Sequence, residues 1–453
     1  MTFSVTLGQL AAVLAAEQQN FEYIHQDIRV KNITTDTRSL HPRDVFLALT
    51  GSTFDGHQFV ADAIAKGAVA AIVHQDMADA DYPLLRVPDT LAAYQQLGRW
   101  WRDQLGTPIV AITGSVGKTT TKELIAAALA TQGPVLKTQA NYNNEIGVPK
   151  TLLQLSSEHA FGVVEMGMRG PGEIALLTQI ARPDVAVITN VGTAHIGRLG
   201  SEQAIADAKC ELLAELPETG VAILNHDNSR LLTTAGRVWS GRQITYGLEG
   251  GDIQGRLIDA ETLEVNGVVL PLPLPGRHNA LNYLAAVAVM QALALDWAKL
   301  AQGLTVELPA GRARRLALAN DVMILDETYN AGLESMLAAL QLLAVTPGGR
   351  RIAVLGTMKE LGDRSVEFHY QVGQQVRQLG IDQFYILADP AEAAALAAGA
   401  EPLKAHVFEN VDPLVEHLQG SIQSGDRLLF KASRAVALDK AVDAVVQSLQ
   451  AMS

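Results

Sequence analysis

The sequence predicts an α/β protein of three domains: a small N-terminal α/β domain, a central domain of P-loop type built on a mostly parallel sheet, and a C-terminal doubly wound, Rossmann-like domain. Two observations carry this. Short apolar runs at Ile109–Thr113, Phe161–Glu165, Val185–Val191 and Val221–Asn225 alternate with helical segments, as strands do in a parallel sheet covered on both faces, and a second such alternation follows residue 311. The length, 453 residues with 48% hydrophobic content, suits about three cores of ordinary domain size.

Composition narrows the function classes. Charged residues make up 18% of the chain, too few for a disordered protein, and the formal charge of −13 argues against a nucleic-acid partner or an anionic membrane surface. A local basic cleft for phosphates remains compatible with that balance. The single cysteine, Cys210, has no partner for an internal disulfide, and no Cys/His spacing suits zinc, so a reducing compartment is expected. The start of the chain lacks a basic region followed by an apolar core, and the longest apolar stretch, Leu281–Trp297, holds Asn282, Gln291 and Asp296. That stretch reads as a core helix and not as a membrane span. A soluble cytoplasmic protein without membrane insertion is expected.

Residues 1–82 read as the first domain. Val45–Leu49 and Ala68–Val73 have the composition of strands, and His57–Lys66 reads as a helix ended by Gly67. The polar loop Asp36-Thr37-Arg38-Ser39 is either a capped turn or an Arg-bearing seat for a diphosphate.

Residues 83–311 read as the second domain, opening with a helix over Thr90–Leu105. The run Ile109–Thr113 leads into Gly114-Ser115-Val116-Gly117-Lys118-Thr119-Thr120, and a helix runs on to Ala130. Strand, glycine turn, lysine and hydroxyl in this order describe a phosphate cradle. Main-chain N–H groups and the helix N-terminus hold the oxygens, Lys118 adds a charge, and a Thr hydroxyl ligates Mg²⁺. The form is short, because Ile112 stands where the longer loop has its first glycine.

Ligands of such sheets collect beyond the strand C-termini, and polar residues follow each run. Glu165-Met166-Gly167 places a carboxylate where it can hold Mg²⁺. Asn190-Val191-Gly192-Thr193-Ala194-His195 places His195 at the same edge, as a structural residue or as a metal or phosphate contact. Lys209 lies on a helix over Ala204–Leu213 and, on spacing alone, is equally well a solvated lysine. Asn141, Asn143 and Asn144 form an amide-rich loop that builds turns or recognises a sugar or peptide. Asn279 and Asn282, three apart at the start of the Ala-rich helix, cap it or face a base ring.

Residues 312–453 read as the third domain, with strands at Val322–Asp326, Arg351–Leu355, Gln383–Ala388 and Arg427–Ala432. Helices are expected at 334–344, 365–379, 391–400 and 434–448. The domain has no phosphate loop of its own, and Asp326 and Gly356 end strands that face the central cleft.

Taken together, Thr113 to Thr120, Asn143-Asn144-Glu145-Ile146-Gly147-Val148-Pro149, Glu165-Met166-Gly167, Asn190 to His195 and Gly276-Arg277-His278-Asn279 resemble the Mur ligases, over essentially the whole chain. These are the ATP-dependent amide-forming enzymes of peptidoglycan precursor synthesis. Thr35-Asp36-Thr37-Arg38, Phe46 to Gly51, Asp326 to Ala331 with Ser335-Met336, and Leu355 to Gly362 are most similar to the branch that adds D-alanyl-D-alanine to UDP-N-acetylmuramoyl-tripeptide. The Asp-Asn-Pro-Arg motif usual in the tripeptide-forming relative is absent from the sequence.

The resemblance implies ATP, Mg²⁺ in two sites, an acyl-phosphate intermediate and a monomeric enzyme. It implies phosphate contacts from Gly114 to Thr120, a first Mg²⁺ held by Thr119 and Glu165, a second site to which His195 contributes, and a Lys209 that the family carbamylates. It places Asn279 and Asn282 at the adenine, and Arg312, Asp326, Tyr329 and Asn330 at the nucleotide from the domain junction. Asn141, Asn143 and Asn144 would face the muramyl-peptide, and Thr37, Arg38 and Ser39 the uridine diphosphate. Three positions depart from the family pattern: Val116 replaces a polar residue, Gly332-Leu333 replaces Asn-Pro, and Ala432 replaces a glycine. The rival readings are a ligase for a single amino acid, a folate-type ligase, and a regulatory module that hydrolyses ATP without ligating. The N-terminal domain argues against the folate reading, and Lys118, Glu165, His195 and Lys209 together argue against the regulatory one.

Overall fold

The three large sheets are mostly parallel, each with antiparallel pairing at one end, and Val5–Thr6 pairs antiparallel with Arg29–Val30 in a small separate ribbon. The structure, a computed structural model, describes residues 3–21, 23–75, 77 and 80–451. In the first domain the strand order is Glu17–Gln19, Leu84–Arg86, Ala70–Val73, Asp44–Leu47, Asn32–Thr34, with only Glu17–Gln19 antiparallel. The strand Leu84–Arg86 lies beyond residue 82, where the sequence reading ended this domain. Pro83, just ahead of that strand, has no N–H to lose there, and its carbonyl accepts the Ala71 N–H of the neighbouring strand.

The central sheet has nine strands, in the order Val268–Pro271, Thr262–Val265, Ile253–Asp259, Gln243–Gly247, Val221–Asn225, Val185–Ile188, Ile109–Thr113, Phe161–Glu165, Val135–Lys137. The last seven are parallel, and the strands of residues 253–271 form an antiparallel extension. The sequence reading missed this extension. Its strand Ile253–Asp259 alternates buried and exposed residues instead of forming an apolar run. The Asn266-Gly267 turn, with both residues at positive φ (49° and 80°), is the hairpin signal that marks it.

Alternation within the phosphate-loop strand divides the core. Ile109 and Ala111 face one side with Trp101, Leu152 and Ile188. Val110 and Ile112 face the other with Leu124, Val163, Val187 and Tyr283. The first of these clusters is continuous from Leu7 and Ile72 in the N-terminal domain to Leu340 and Phe384 in the third. Apolar burial therefore holds the three domains around the central sheet, at about 25 cal/mol per Å² removed from water.

The helix Thr90–Leu105 that bridges the first two domains is capped by Asp89, whose side chain accepts from the N–H of Leu91 and Ala92, and ends at Gly106 with φ 62°. In the third domain the order is Arg314–Ala317, Met323–Glu327, Arg427–Lys431, Arg351–Gly356, Gln383–Leu387, Ala405–Phe408, with only the first antiparallel. The last helix starts at Asp439 and not at 434, because Arg434–Val436 is a 3₁₀ turn and Ala437 is left-handed at φ 58°. Among the described residues no helix is long and apolar enough to cross a membrane.

The helices Ser365–Gln378 and Pro390–Ala400 touch through glycines. A Cβ on Gly373 would lie 2.2 Å from the Leu396 carbonyl oxygen, and one on Gly399 would lie 2.2 Å from that of Tyr370. Gly373→Ala should therefore lower stability by about 1–3 kcal/mol through overpacking, read from urea denaturation. An exposed glycine with open space around its Cβ, Gly236, should gain from the same change.

Candidate active site at the strand ends

The strands Ile109–Thr113, Phe161–Glu165 and Val185–Ile188 end side by side. Their register pairs Ile112 with Glu165 and Thr113 with Ile188, so the segments leaving them enter one cleft. Between Thr113 and the helix Lys118–Ala130 the loop needs glycine twice. A Cβ on Gly114 (φ 153°) would lie 1.9 Å from Thr189 Oγ1, and one on Gly117 (φ 81°) would lie 2.7 Å from Asn282 Oδ1.

Asn190 ties the loop down. Its Oδ1 accepts the Val116 N–H at 3.0 Å, its Nδ2 donates to the Val116 carbonyl at 2.9 Å, and its own carbonyl accepts the Ser115 N–H at 3.0 Å. Ser115 Oγ in turn accepts the Gly192 N–H. Ser115 and Val116 thus shape the loop with their main chain already bonded. The first helical turn adds the N–H groups of Lys118, Thr119 and Thr120, which have no carbonyl to meet within the helix and can face a phosphate.

Lys118 curls over this loop, with Nζ donating to the Gly114 and Ser115 carbonyls at 2.8 and 3.4 Å. Burial lowers its pKa, the Glu165 carboxylate opposes that, and Arg312 adds to the depression. Lys209 is almost fully buried, and its pKa lies well below the usual lysine range. Burial is the main cause, the Lys118 charge adds to it, and the Cys210 thiol opposes it. The solvated reading of Lys209 is thereby set aside.

Glu165 is buried near Lys118 and Lys122. Its Oε1 accepts from Asn143 Nδ2 at 2.8 Å, its N–H donates to Thr138 Oγ1, and its Oε2 is buried without a hydrogen-bond partner, 4.0 Å from Lys122 Nζ. His195, left-handed at φ 67°, sets Nδ1 2.6 Å from Glu360 Oε2. Burial lowers its pKa; Glu360 opposes this, and Lys118 and Lys209 reinforce it. A neutral ring with its Nδ1 proton on that carboxylate presents Nε2 as an acceptor or ligand.

The orphaned carboxylate oxygen of Glu165, at a strand end beside the phosphate loop, is hard-oxygen chemistry that fits Mg²⁺. Among the described residues no three His, Cys, Asp or Glu side chains gather to hold a metal unaided. An ion here would take one or two protein oxygens and complete its shell with phosphate and water.

Comparison with known proteins agrees with this geometry. The models described as Mur ligase family, catalytic domain, Mur ligase middle domain, and Mur ligase, glutamate ligase domain match residues 29–101, 112–290 and 311–434. The UDP-N-acetylmuramoyl-tripeptide–D-alanyl-D-alanine ligase of Synechocystis sp. is 57% identical over 92% of either chain. The chain belongs to the Mur ligase family. A MurF crystal structure from Acinetobacter baumannii superposes with a TM-score of 0.89 at 32% identity, covering 98% of this chain and 99% of that one. The MurF ligase of Thermotoga maritima in complex with ADP does so with a TM-score of 0.83 at 29% identity, covering 93% and 98%.

The third domain of this Mur ligase reaches the cleft through residues whose role the sequence reading left unassigned. Glu334 accepts from the Thr193 N–H at 2.7 Å and hydroxyl at 3.1 Å, and a Cβ on Gly192 would meet it at 2.5 Å. The Glu360 carbonyl accepts the Gly197 N–H at 3.1 Å, while its carboxylate holds His195. Glu360 lies inside the Leu355–Gly362 stretch that carries the family resemblance, but only the fold shows what it touches. Lys431 donates to the Asn330 carbonyl at 3.0 Å, and the Arg312 guanidinium stacks 3.8 Å over the Tyr329 ring. Arg312 Nε is buried without a partner.

Other expected contacts are engaged within the protein. Asp326 Oδ1 accepts from Thr328, and Asn330 Oδ1 from the Ala331 N–H. Asn279 donates to the Pro275 carbonyl just before its own helix, and Asn282 Oδ1 accepts from Thr121, so Asn282 braces the Arg277–Ala292 helix against the phosphate-loop helix. Asn144 caps the turn at Ile146 and Gly147, Asn143 joins the cleft through Glu165, and Asn141 is exposed. In the N-terminal domain Arg38 forks onto Asp36, whose carboxyl it holds down at about 2. The Lys66 ammonium reaches the Thr37 carbonyl, and Ser39 closes the same turn on the Asp36 carbonyl. The structure thus shows the capped turn at this loop.

His278, at the start of the Arg277–Ala292 helix, has its pKa pushed down to about 4 by burial and by the nearby Lys431. Unfolded, it titrates near the ordinary value, so stability is retained above about 6.5 and lost as pH falls toward 4. His278→Gln should flatten the decline in unfolding free energy over that window, measured by urea titration at pH 4–7.

Proposed function

We propose that the protein is an ATP-dependent ligase that joins D-alanyl-D-alanine to the C-terminal carboxylate of UDP-N-acetylmuramoyl-tripeptide, releasing ADP and phosphate, in cytoplasmic peptidoglycan precursor synthesis. The observation that carries this reading is the buried Lys118 at a phosphate loop, acting on a Glu165 carboxylate with one oxygen left without a hydrogen-bond partner, with a second buried lysine, Lys209, close enough to feel the Lys118 charge. The dipeptide acceptor is supported by the relatives' names.

A carboxylate is a poor electrophile, so the peptide's terminal carboxylate oxygen first attacks the γ-phosphorus of ATP, and ADP departs. The amine of the dipeptide then attacks the carbonyl carbon of that acyl phosphate. The tetrahedral adduct expels phosphate and loses a proton to leave the amide. The first-turn N–H groups of Lys118, Thr119 and Thr120 hold phosphate oxygens, and Lys118 offsets the charge that grows on them. Mg²⁺, held by Thr119 and Glu165 with His195 at a second site, would supply charge neutralisation and fix the phosphate orientation. Burial lowers the Lys209 pKa, which favours the amine form that carbamylates, and the carbamate would add a carboxylate-like ligand at that second site.

Asn279, Asn282, Arg312, Asp326, Tyr329 and Asn330 stand on the base and ribose side of the nucleotide. Asn141, Asn143 and Asn144 border the muramyl-peptide, and Thr37, Arg38 and Ser39 border the uridine diphosphate. For Arg38 to engage that diphosphate, it must leave Asp36. The protein acts as a monomer, with the third domain closing through Glu334 and Glu360.

Phosphate release from ATP should require both UDP-N-acetylmuramoyl-tripeptide and D-alanyl-D-alanine, and the product should be heavier by one dipeptide unit. Release with a single amino acid would move the enzyme within the family, and release with no acceptor would support ATP hydrolysis without ligation. Lys118→Ala should lower kcat by about 10²–10³-fold, the scale for losing one preorganised charge donor.

A further inference from the structure

Two charged side chains that the chemistry above does not use lie buried just beyond the phosphate loop. Lys122 and Glu123 are neighbours on the helix Lys118–Ala130, and they are 1% and 5% exposed. Adjacent residues on a helix point about 100° apart, so one of such a pair ordinarily reaches water. Here the Arg277–Ala292 helix and the strands Phe161–Glu165 and Val135–Lys137 pack around the helix, and neither side chain does. A buried charge persists only with partners, and the partners of these two lead to a single atom.

Lys122 Nζ lies 2.9 Å from Glu123 Oε1 and donates to the Thr138 carbonyl at 2.8 Å. Glu123 Oε2 is taken by the half-buried Lys137 ammonium. An ammonium has three donors, so Lys122 keeps one, and Glu165 Oε2, the oxygen without a hydrogen-bond partner, stands 4.0 Å away. That is too long for a hydrogen bond and short enough for charge. From the surface inward the signs therefore alternate through Lys137, Glu123, Lys122 and Glu165. Thr138 fixes the inner end, because its carbonyl holds Lys122 while its hydroxyl accepts the Glu165 N–H at 3.0 Å. The side chain and the main chain of Glu165 are thus both referred to one lysine.

A fixed cation 4.0 Å from Oε2 competes with a divalent ion for the charge of that oxygen. Lys122 makes the buried carboxylate tolerable without metal and weakens its hold on metal. Glu123 limits the weakening, since it offsets the Lys122 charge from the other side. We propose that Lys122 and Glu123 are a positioning pair that fixes Glu165 and sets its Mg²⁺ affinity low enough for the ion to enter with the nucleotide phosphates instead of ahead of them. The proposal rests on the reading of Glu165 as a Mg²⁺ ligand and deepens it. The phosphates bring the negative charge that Lys122 offsets at Glu165.

The test is titration of the nucleotide-free, full-length enzyme with Mn²⁺ as the probe for Mg²⁺, the free ion being read by electron paramagnetic resonance. Lys122→Met removes the positive charge and should tighten Mn²⁺ binding about 10-fold. Glu123→Gln bares the Lys122 charge and should weaken binding about 10-fold. With both substitutions together, affinity should return close to that of the wild type. The Mg²⁺ concentration for half-maximal phosphate release at saturating ATP should move in the same directions, while the KM for D-alanyl-D-alanine stays unchanged. A role in packing alone would move both single variants the same way. Weaker binding in both, or no change in any variant, would overturn the proposal. If Lys122→Met does not fold, Glu123→Gln carries the test alone, and unchanged or tighter binding there would overturn it. Glu165→Gln separates the proposal from the reading beneath it, because Mn²⁺ affinity should fall in that variant. A fall there without opposite shifts in the pair overturns the role of the pair alone. No fall there overturns Glu165 as a metal ligand, and the proposal with it.

Discussion

Two buried lysines with too little negative charge around them set the terms for the rest of this molecule. Burial depresses the pKa of both, Arg312 adds to the effect on Lys118 and Lys118 to that on Lys209, and the carboxylate acting on Lys118, Glu165, has one oxygen already bonded to Asn143. A buried cation without full compensation is costly, and it persists only where the surrounding fold holds it in place. Here that fold is the junction of three parallel strands, whose apolar side chains are buried on both faces. A ligand rich in phosphate oxygens supplies the missing negative charge, so the energy that the fold spends on the empty cleft becomes affinity when nucleotide enters.

The same cleft explains the third domain's orientation. Glu334 and Glu360 bond to the segment Gly192–Gly197, which leaves the central sheet beside the phosphate loop. Asn190, at the root of that segment, also holds the main chain of Ser115 and Val116. One short segment thus joins the phosphate loop to the third domain, and His195 lies on it with Glu360 fixing its ring. A shift of the third domain would change which nitrogen of His195 is free and how the loop is braced. Closure and assembly of the site are therefore one event in this geometry.

Much of this was legible before the fold was known, for a physical reason. Strands buried on both faces read as unbroken apolar runs, so Ile109–Thr113, Phe161–Glu165 and Val221–Asn225 have the same limits in sequence and structure. The residues just after such runs must lie at the ligand edge, which made Glu165, His195 and the phosphate loop visible. Half-exposed strands alternate, and the 253–271 extension was missed for that reason. Side-chain partners across domains carry no local pattern, so Glu334 and Glu360 had no signal of their own. Amides proved hardest to read. Asn144, Asn279 and Asn282 have the residue type expected for recognition, and the structure shows each of them building the protein first.

The most direct test of the central claim is thermal melting of wild type and Lys118→Met, each with and without a non-hydrolysable ATP analogue and Mg²⁺. A cation that the empty cleft compensates poorly is replaced without loss by an apolar side chain of similar volume. Lys118→Met should therefore melt at or above the wild-type temperature when empty. The analogue should raise the wild-type melting temperature, as ligand linkage requires, and leave the variant nearly unmoved. A variant that melts well below wild type when empty, yet gains as much from the analogue, would contradict the account.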